Sequence, residues 1–287
     1  MIENVIEQFN LQVLSMNEVE DSHSSTVFQC HLANGEIAFV KIPYTKVKYE
    51  REREAYAILN GRVSIPEMLD DWSGNDDCPG AFLLSSLKGQ ALHTNTTPDI
   101  AYQVGILHAS LHNIQPPINK KLTSIQNEFT TWTAFIRRQF YSFAEDVKEV
   151  IRQELYQLAM EKFEKMQEKL PPPDGPSFIH MDFRPANIIV DDDCVASVID
   201  FESVRFGSTE VDFTKIHRDF LQFQPDFMQA YRDGYESIRP MIDLDVVLPF
   251  YQFTDAFNSI GWCKRRGLEK NARFLKQNLS LLEKHLL

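Results

Sequence analysis

Apolar and polar positions along the chain alternate with two different periods. Near the start, TVFQCHL (Thr26 to Leu32) alternates every second residue, as a half-buried strand does, and ANG (Ala33 to Gly35) closes a hairpin into EIAFVKI. A short strand at Leu11 to Leu14 and a turn at EDSHSS (Glu20 to Ser25) precede it. The period then lengthens: YEREREAYAILNG puts Ala55, Ile58 and Leu59 on one face and predicts a helix ending at Gly61. After Pro66 and a loop rich in Asp and Gly, the apolar run AFLLSSL (Ala81 to Leu87) predicts an inner strand leading into a linker at Gly89.

Beyond Gly89 the pattern is mostly helical. Helices are predicted over Pro98 to Ile114, Phe129 to Phe143 and Val147 to Leu170, and PPPDGP (Pro171 to Pro176) stops the last of them. From Ser177 to Phe201 the chain reads loop, strand, Asp-rich turn, strand, and the remainder is helical to Leu287. The fold class that follows is α+β with two lobes: residues 1–88 form a small antiparallel-sheet lobe, and 89–287 a larger helical one.

Composition narrows the function classes. Of 287 residues, 43% are hydrophobic, enough for a substantial core, and 29 basic against 41 acidic side chains give a net charge of −12. That balance opposes binding to nucleic acid and to anionic membranes. Four scattered cysteines without a CxxC pair suggest neither a disulfide framework nor a zinc site. MIENVIEQFNLQVL lacks the features of a signal peptide, and no apolar run has the length of a membrane span, so the expected setting is the cytoplasm.

The densest chemistry lies in HMDFRPANIIV, His180 to Val190. The strands NIIV and ASVID form a hairpin around Asp191 to Asp193, which brings Asp182 and Asn187 toward Asp200. An Asn and an Asp supply hard oxygen ligands suited to Mg²⁺. Asp182 is then free to accept a proton, and Arg184 beside it can balance phosphate charge. With Lys41 on an upstream strand and Glu54 on the next helix, these residues resemble the parts of a protein-kinase-like phosphoryl-transfer centre.

The sequence is similar to the aminoglycoside phosphotransferase and choline kinase family. The resemblance rests on FIHMDFRPANIIV, VIDFESVRFGSTEVD, AFVKI with REREAYAIL, AFLLSSLKG and ILHASLHNI, in that order, over about Leu14 to Phe213. IDFE, where protein kinases carry Asp-Phe-Gly, is part of that resemblance, and the chain departs from the family where Met181 replaces a glycine and Arg184 stands before Pro185. The resemblance implies a kinase-like fold, with Asp182 as catalytic base and Asn187 and Asp200 as Mg²⁺ ligands. It implies that Lys41 contacts the phosphates of ATP or GTP, that Glu54 orients Lys41, and that Asp212 braces the catalytic loop. Adenine would lie against the linker near backbone groups of Ser86 and Lys88, and the glycine-free loop 20–25, with Ser24 among its hydroxyls, would cover the phosphates.

The expected reaction is phosphoryl transfer to a hydroxyl of a small molecule. Asp219 and Asp255 on the C-terminal helices would suit a polycationic aminoglycoside, hence a role in antibiotic resistance; choline, ethanolamine, homoserine, a thio-sugar or a macrolide would fit the same core. The reading from a different class is a nucleotide-binding or scaffold protein without catalysis.

Several features have plain structural readings. Asp191 to Asp193 favour a turn. His108 and His112, at i and i+4 among Ile106, Leu107 and Leu111, belong to a core helix. Lys264 to Arg266 form a solvated helix face, and His180 has a structural role.

Overall fold

The computed structural model describes residues 1–19, 25–118 and 121–286. Its first part is a short helix, α1 (Ile2–Gln8), followed by a five-stranded antiparallel sheet with one helix laid on it. The strands are β1 (Val13–Glu18), β2 (Ser25–Leu32), β3 (Ile37–Pro43), β4 (Met68–Trp72) and β5 (Ala81–Ser85), in spatial order β1-β2-β3-β5-β4, and α2 (Lys46–Leu59) connects β3 to β4. Along β3, Ala38, Val40 and Ile42 pack with Val5 of α1 and Phe9 just after it in a small core. The period of two turns Phe39 and Lys41 to the other face, where both line a cleft.

Helix α2 starts at Thr45, whose side chain accepts from the N–H of Lys48. Its buried positions Glu52, Ala55, Tyr56 and Leu59 follow the i, i+3, i+4, i+7 spacing of one helix face. Tyr49 stacks on Phe82 with centroids 4.9 Å apart, and Tyr56 meets Phe201 edge-on at 5.4 Å, so α2 ties the sheet to the larger part of the chain.

That larger part begins with β6 (Gln90–Ala91) and α3 (Pro98–His112), continues through α4 (Trp132–Ser142), α5 (Ala144–Lys148) and α6 (Gln153–Gln167), and then crosses the short strands β7 (Ser177–Ile179), β8 (Ile188–Val190), β9 (Ala196–Val198) and β10 (Arg205–Gly207). It ends in α7 (Phe213–Asp219), α8 (Pro225–Glu236), α9 (Leu244–Arg266) and α10 (Ala272–Leu286). Strands β6, β8 and β9 make one small antiparallel sheet, and β7 pairs with β10 in another.

Two glycines set how closely α3 and α8 approach. A Cβ on Gly105 would stand 2.2 Å from the carbonyl oxygen of Tyr231, and one on Gly234 would stand 2.0 Å from that of Tyr102. The two helices therefore pack backbone against backbone. Elsewhere the core is aromatic: Phe140 of α4 stacks on Phe163 of α6 at 4.0 Å and on Phe257 of α9 at 4.1 Å.

The structure differs from the sequence expectations where elements are short. The Asp-rich loop after Pro66 contains β4, the loop after Ser177 contains β7, and the segment after Phe201 contains β10 before its helices begin. Strands of three to five residues are too brief to display a period. The region from Phe129 to Leu170, expected as two helices, is divided into a 3₁₀ turn and three helices, with Arg152 in an extended conformation between α5 and α6.

A candidate active site between the sheet and the helices

The loop between β7 and β8 carries the most densely bonded backbone of the cleft. Both N–H groups at its start, those of His180 and Met181, donate to the carboxylate of Asp212 at 2.5 and 2.6 Å. His180 Nδ1 accepts from the N–H of Asp182 at 3.3 Å, which makes Nε2 the protonated nitrogen and lets it donate to the carbonyl of Ile199 at 3.0 Å. The imidazole is thus a strut between the loop and the end of β9.

Asp212 is fully buried, and beneath it lie His108 and His112, with Nε2 atoms at 3.7 and 3.4 Å. Burial opposes charge on Asp212, but the two imidazoles beside it hold its carboxyl well below the usual range. Burial pushes His108 down to about 3, so both effects leave a neutral imidazole beside a carboxylate. The Nδ1 atoms of His108 and His112 meet the hydroxyls of Tyr231 and Tyr235 across the α3–α8 contact. His108, His112 and Asp212 are compact enough for a metal, with ligating atoms within 4.8 Å, yet tyrosine hydroxyls and backbone N–H groups already engage them.

Asp182 points into the cleft. Lys215 Nζ stands 2.5 Å from its Oδ1, while Arg184 Nε at 3.1 Å and Asn187 Nδ2 at 3.0 Å share its Oδ2. Burial opposes charge here too, but Lys215 and then Arg184 keep the carboxyl below its usual range. Asn187 Nδ2 also donates to the backbone oxygen of Asp182 at 2.9 Å, and the carbonyl of Asn187 accepts from Ile199 across the β8–β9 hairpin at 3.0 Å. The hairpin therefore does bring the two ends together. Asp191 Oδ1 accepts from the N–H groups of Asp193 and Val195, as a turn aspartate does.

Across the cleft, Lys41 Nζ bridges Asp200 Oδ1 at 2.7 Å and Glu52 Oε1 at 2.8 Å. Burial would lower the lysine, but Asp200 and Glu52 overcome it and raise it; Asp200, opposed by burial, is held low by Lys41. Asp200 adopts φ +72°, a left-handed conformation uncommon for a residue other than glycine.

This corrects the expectation for Glu54. Its carboxylate accepts the backbone N–H groups of Thr123, Ser124 and Ile125 at 2.9, 3.1 and 2.7 Å. Two residues of helix rotate a side chain by about 200°, so Glu52 and Glu54 face opposite ways. The spacing of Glu52 to Ala55, Tyr56 and Leu59 was the signal that could have found the buried glutamate.

At the linker, Ser85, Leu87 and Gly89 line the cleft, while Ser86 and Lys88, whose backbone groups are the expected adenine partners, are exposed residues. Ser24 and the rest of Glu20 to Ser24 lie outside the described residues, and Ser25 is buried against the cleft.

The cleft has a volume of about 1340 Å³ and continues from this ion network to a wall made by α4, α7, α9 and α10. Asp219 and Asp255, expected to attract a polycation, are both paired with Arg218: Nε and Nη2 engage Asp219 at 2.7 and 2.8 Å, and Nη1 engages Asp255. Lys215, the cation closest to Asp182, has no motif in the sequence to announce it. Lys264 and Arg265 pair with Glu149 and Asp146, as a solvated helix face does.

The donor set fits a hard divalent cation. Asn187 uses its Nδ2 within the loop, leaving Oδ1 without a hydrogen bond among the described residues, and Asp200 uses only Oδ1. Nearby, Glu52 Oε2 and Glu202 Oε2 are buried oxygens without partners among the described residues.

With this geometry the chain is similar to known kinases of small molecules. The model of the phosphotransferase enzyme family (APH) matches residues 15–250. Among solved structures, the GDP and kanamycin complex of APH(2")-IIia superposes with a TM-score of 0.78 at 14% identity, covering 99% of this chain and 97% of that one. The gentamicin–APH(2")-IIa complex gives 0.71 at 18% identity, with 98% and 94% covered. Macrolide 2'-phosphotransferase MphH from Brachybacterium faecium gives 0.72 at 14%, with 98% and 97% covered. No curated protein sequence matches the chain. A family match over most of the chain, on a two-lobed kinase-like fold, shows that this protein belongs to the APH phosphotransferase enzyme family.

Proposed function

We propose that the protein transfers the γ-phosphate of ATP or GTP to a hydroxyl of a small molecule in the cleft between residues 1–88 and 89–287. The observation that carries this reading is the juxtaposition, in one cleft, of the Asp182 carboxylate, Asn187 and the Lys41–Asp200 pair. The GDP bound in APH(2")-IIia supports a nucleotide as donor.

Asp182 faces the acceptor and takes its hydroxyl proton as the new O–P bond forms and the bond to the nucleoside diphosphate breaks. Because two cations hold it ionised, it is a weak base; its main contribution is to orient the hydroxyl, with proton transfer late. Lys41, held by Glu52, is directed at the nucleotide phosphates. Asn187 and Asp200 would hold Mg²⁺, which supplies charge neutralisation for the phosphate oxygens. Arg184 and Lys215 add positive charge where the transferring group passes.

The test is turnover of ATP and GTP with Mg²⁺ over a panel of hydroxylated acceptors. Asp182→Asn should remove turnover while keeping nucleotide binding, and Asp200→Ala should weaken Mg²⁺-nucleotide binding as well. An active Asp182→Asn protein overturns the assignment.

A further inference from the structure

The wall beyond Asp182 is electropositive in a chain whose net charge is −12. Five cations line this side of the cleft: Arg184, Arg205, Lys215, Arg218 and Arg273. The carboxylates beside them are paired: Asp182 by Arg184 and Lys215, Asp255 and its neighbour Asp219 by Arg218, and Glu202, which also lines the cleft, by Lys48. Arg205 and Arg273 are left without a carboxylate partner among the described residues.

Arg205 is the more telling of the two. It lies on β10 with its guanidinium 4.5 Å over the Phe135 ring, and its Nε is a buried donor with no hydrogen bond. Its electrostatic neighbours include two further guanidiniums, Arg51 and Arg138. The two carboxylates that act on it are engaged elsewhere: Glu128 is bonded to Arg138 at 3.2 Å, and Asp212 to the N–H groups of His180 and Met181. Burial and then Arg51 push Arg205 down to about 10. A half-buried guanidinium beside other cations, with one buried donor unused, is costly to maintain and is relieved by an arriving anion.

From this wall we propose, resting on the phosphotransferase reading above, that the acceptor is a small hydroxylated anion, bearing a carboxylate or a phosphate, whose negative group is drawn to the wall that carries Arg205 and Arg273 while its hydroxyl faces Asp182. A polycation finds Asp182 and Asp255 already paired and meets two arginines that have no carboxylate partner among the described residues. Asn258 Oδ1 and Thr214 Oγ1, both buried and without partners, belong to residues that line the same wall and are suited to bonding the acceptor's hydroxyls.

The test is calorimetric titration at constant ionic strength. The protein is first saturated with Mg²⁺ and an imidodiphosphate analogue of ATP or GTP, so that the nucleotide site is filled. Acetate, methyl phosphate and kanamycin are then titrated separately; acetate reads a carboxylate site and methyl phosphate a phosphate site. At least one anion should bind more tightly than kanamycin, and Arg205→Gln should weaken it by roughly fivefold or more while Arg205→Lys retains much of it. Arg273→Gln, at an exposed position, gives a second reading that does not disturb the core. Tighter binding of kanamycin, no binding of either anion at millimolar concentration, or anion affinity unchanged in both glutamine variants overturns the proposal. Failure of the nucleotide analogues to bind counts instead against the phosphotransferase reading, and the anion titration still reads the wall.

Discussion

Lys215 Nζ stands 2.5 Å from Asp182 Oδ1, although the two residues come from different elements 33 positions apart. The ammonium keeps the carboxylate ionised and fixes one of its oxygens, leaving the other to Arg184 and Asn187. Lys215→Met should therefore lower kcat by about 10- to 100-fold, the order associated with a lost electrostatic contact at a reacting group. It should also move the acid limb of the pH–rate profile toward neutrality, because the carboxyl loses the cation that held it low. A pH profile with the limb in place would assign Lys215 to binding alone.

The two glutamates of α2 separate by role. Glu52→Gln removes one anchor of Lys41 and should cut turnover by about 10-fold or more, with nucleotide KM raised. Glu54→Ala removes the acceptor for three backbone N–H groups of residues 123–125 and should cost stability, about 1–3 kcal/mol, with turnover retained. Denaturant unfolding and steady-state kinetics on the same two variants check both halves.

Glu210 gives a stability that depends on pH. Burial raises its carboxyl to about 7, above the range it has when unfolded. The folded protein then binds more protons than the unfolded chain between about pH 4.5 and 7, so stability falls as pH rises through that window. Glu210→Gln should flatten this part of the curve and leave the variant relatively more stable at pH 8, by roughly 1–3 kcal/mol. Urea midpoints measured from pH 5 to 8 test the sign.

Gly234→Ala adds a methyl group where the Tyr102 carbonyl oxygen would be 2.0 Å away. The α3–α8 contact must open, and the expected loss is about 3 kcal/mol or more, greater than an ordinary overpacked core site. Because Tyr231 and Tyr235 belong to α8, the strain should reach His108, His112 and Asp212, so kcat should fall in the fraction that still folds.

Much of this was legible in the sequence. HMDFRPANIIV and ASVID announced a loop and hairpin because turn residues and two short apolar runs lie close together, and local pairing needs no distant partner. Glu52 was legible in principle from its helical spacing, but a run of alternating Glu and Arg hides which charge is buried. Lys215 and Arg218 were not legible: their meaning comes from Asp182 and Asp255, and such contacts across elements leave no periodic trace. The same holds for Asp219 and Asp255, which read as free carboxylates until Arg218 is seen between them.

The foundation of the loop lies away from the cleft. Asp212 fixes the peptides of His180 and Met181, and His108, His112, Tyr231 and Tyr235 stand behind it; none of these five lines the cavity. The residues that line the far side of the cleft, where the proposed acceptor would sit, come from α4, α7, α9, α10 and β10 instead. On the proposed reading, the fixing of the loop backbone and the choice of acceptor thus depend on largely separate side chains, with Lys215 and Arg184 touching both Asp182 and the wall. Such a separation makes the scaffold evolvable: substitutions along the α9 and α10 wall can exchange one acceptor for another while the geometry of phosphoryl transfer stays where the buried aspartate holds it.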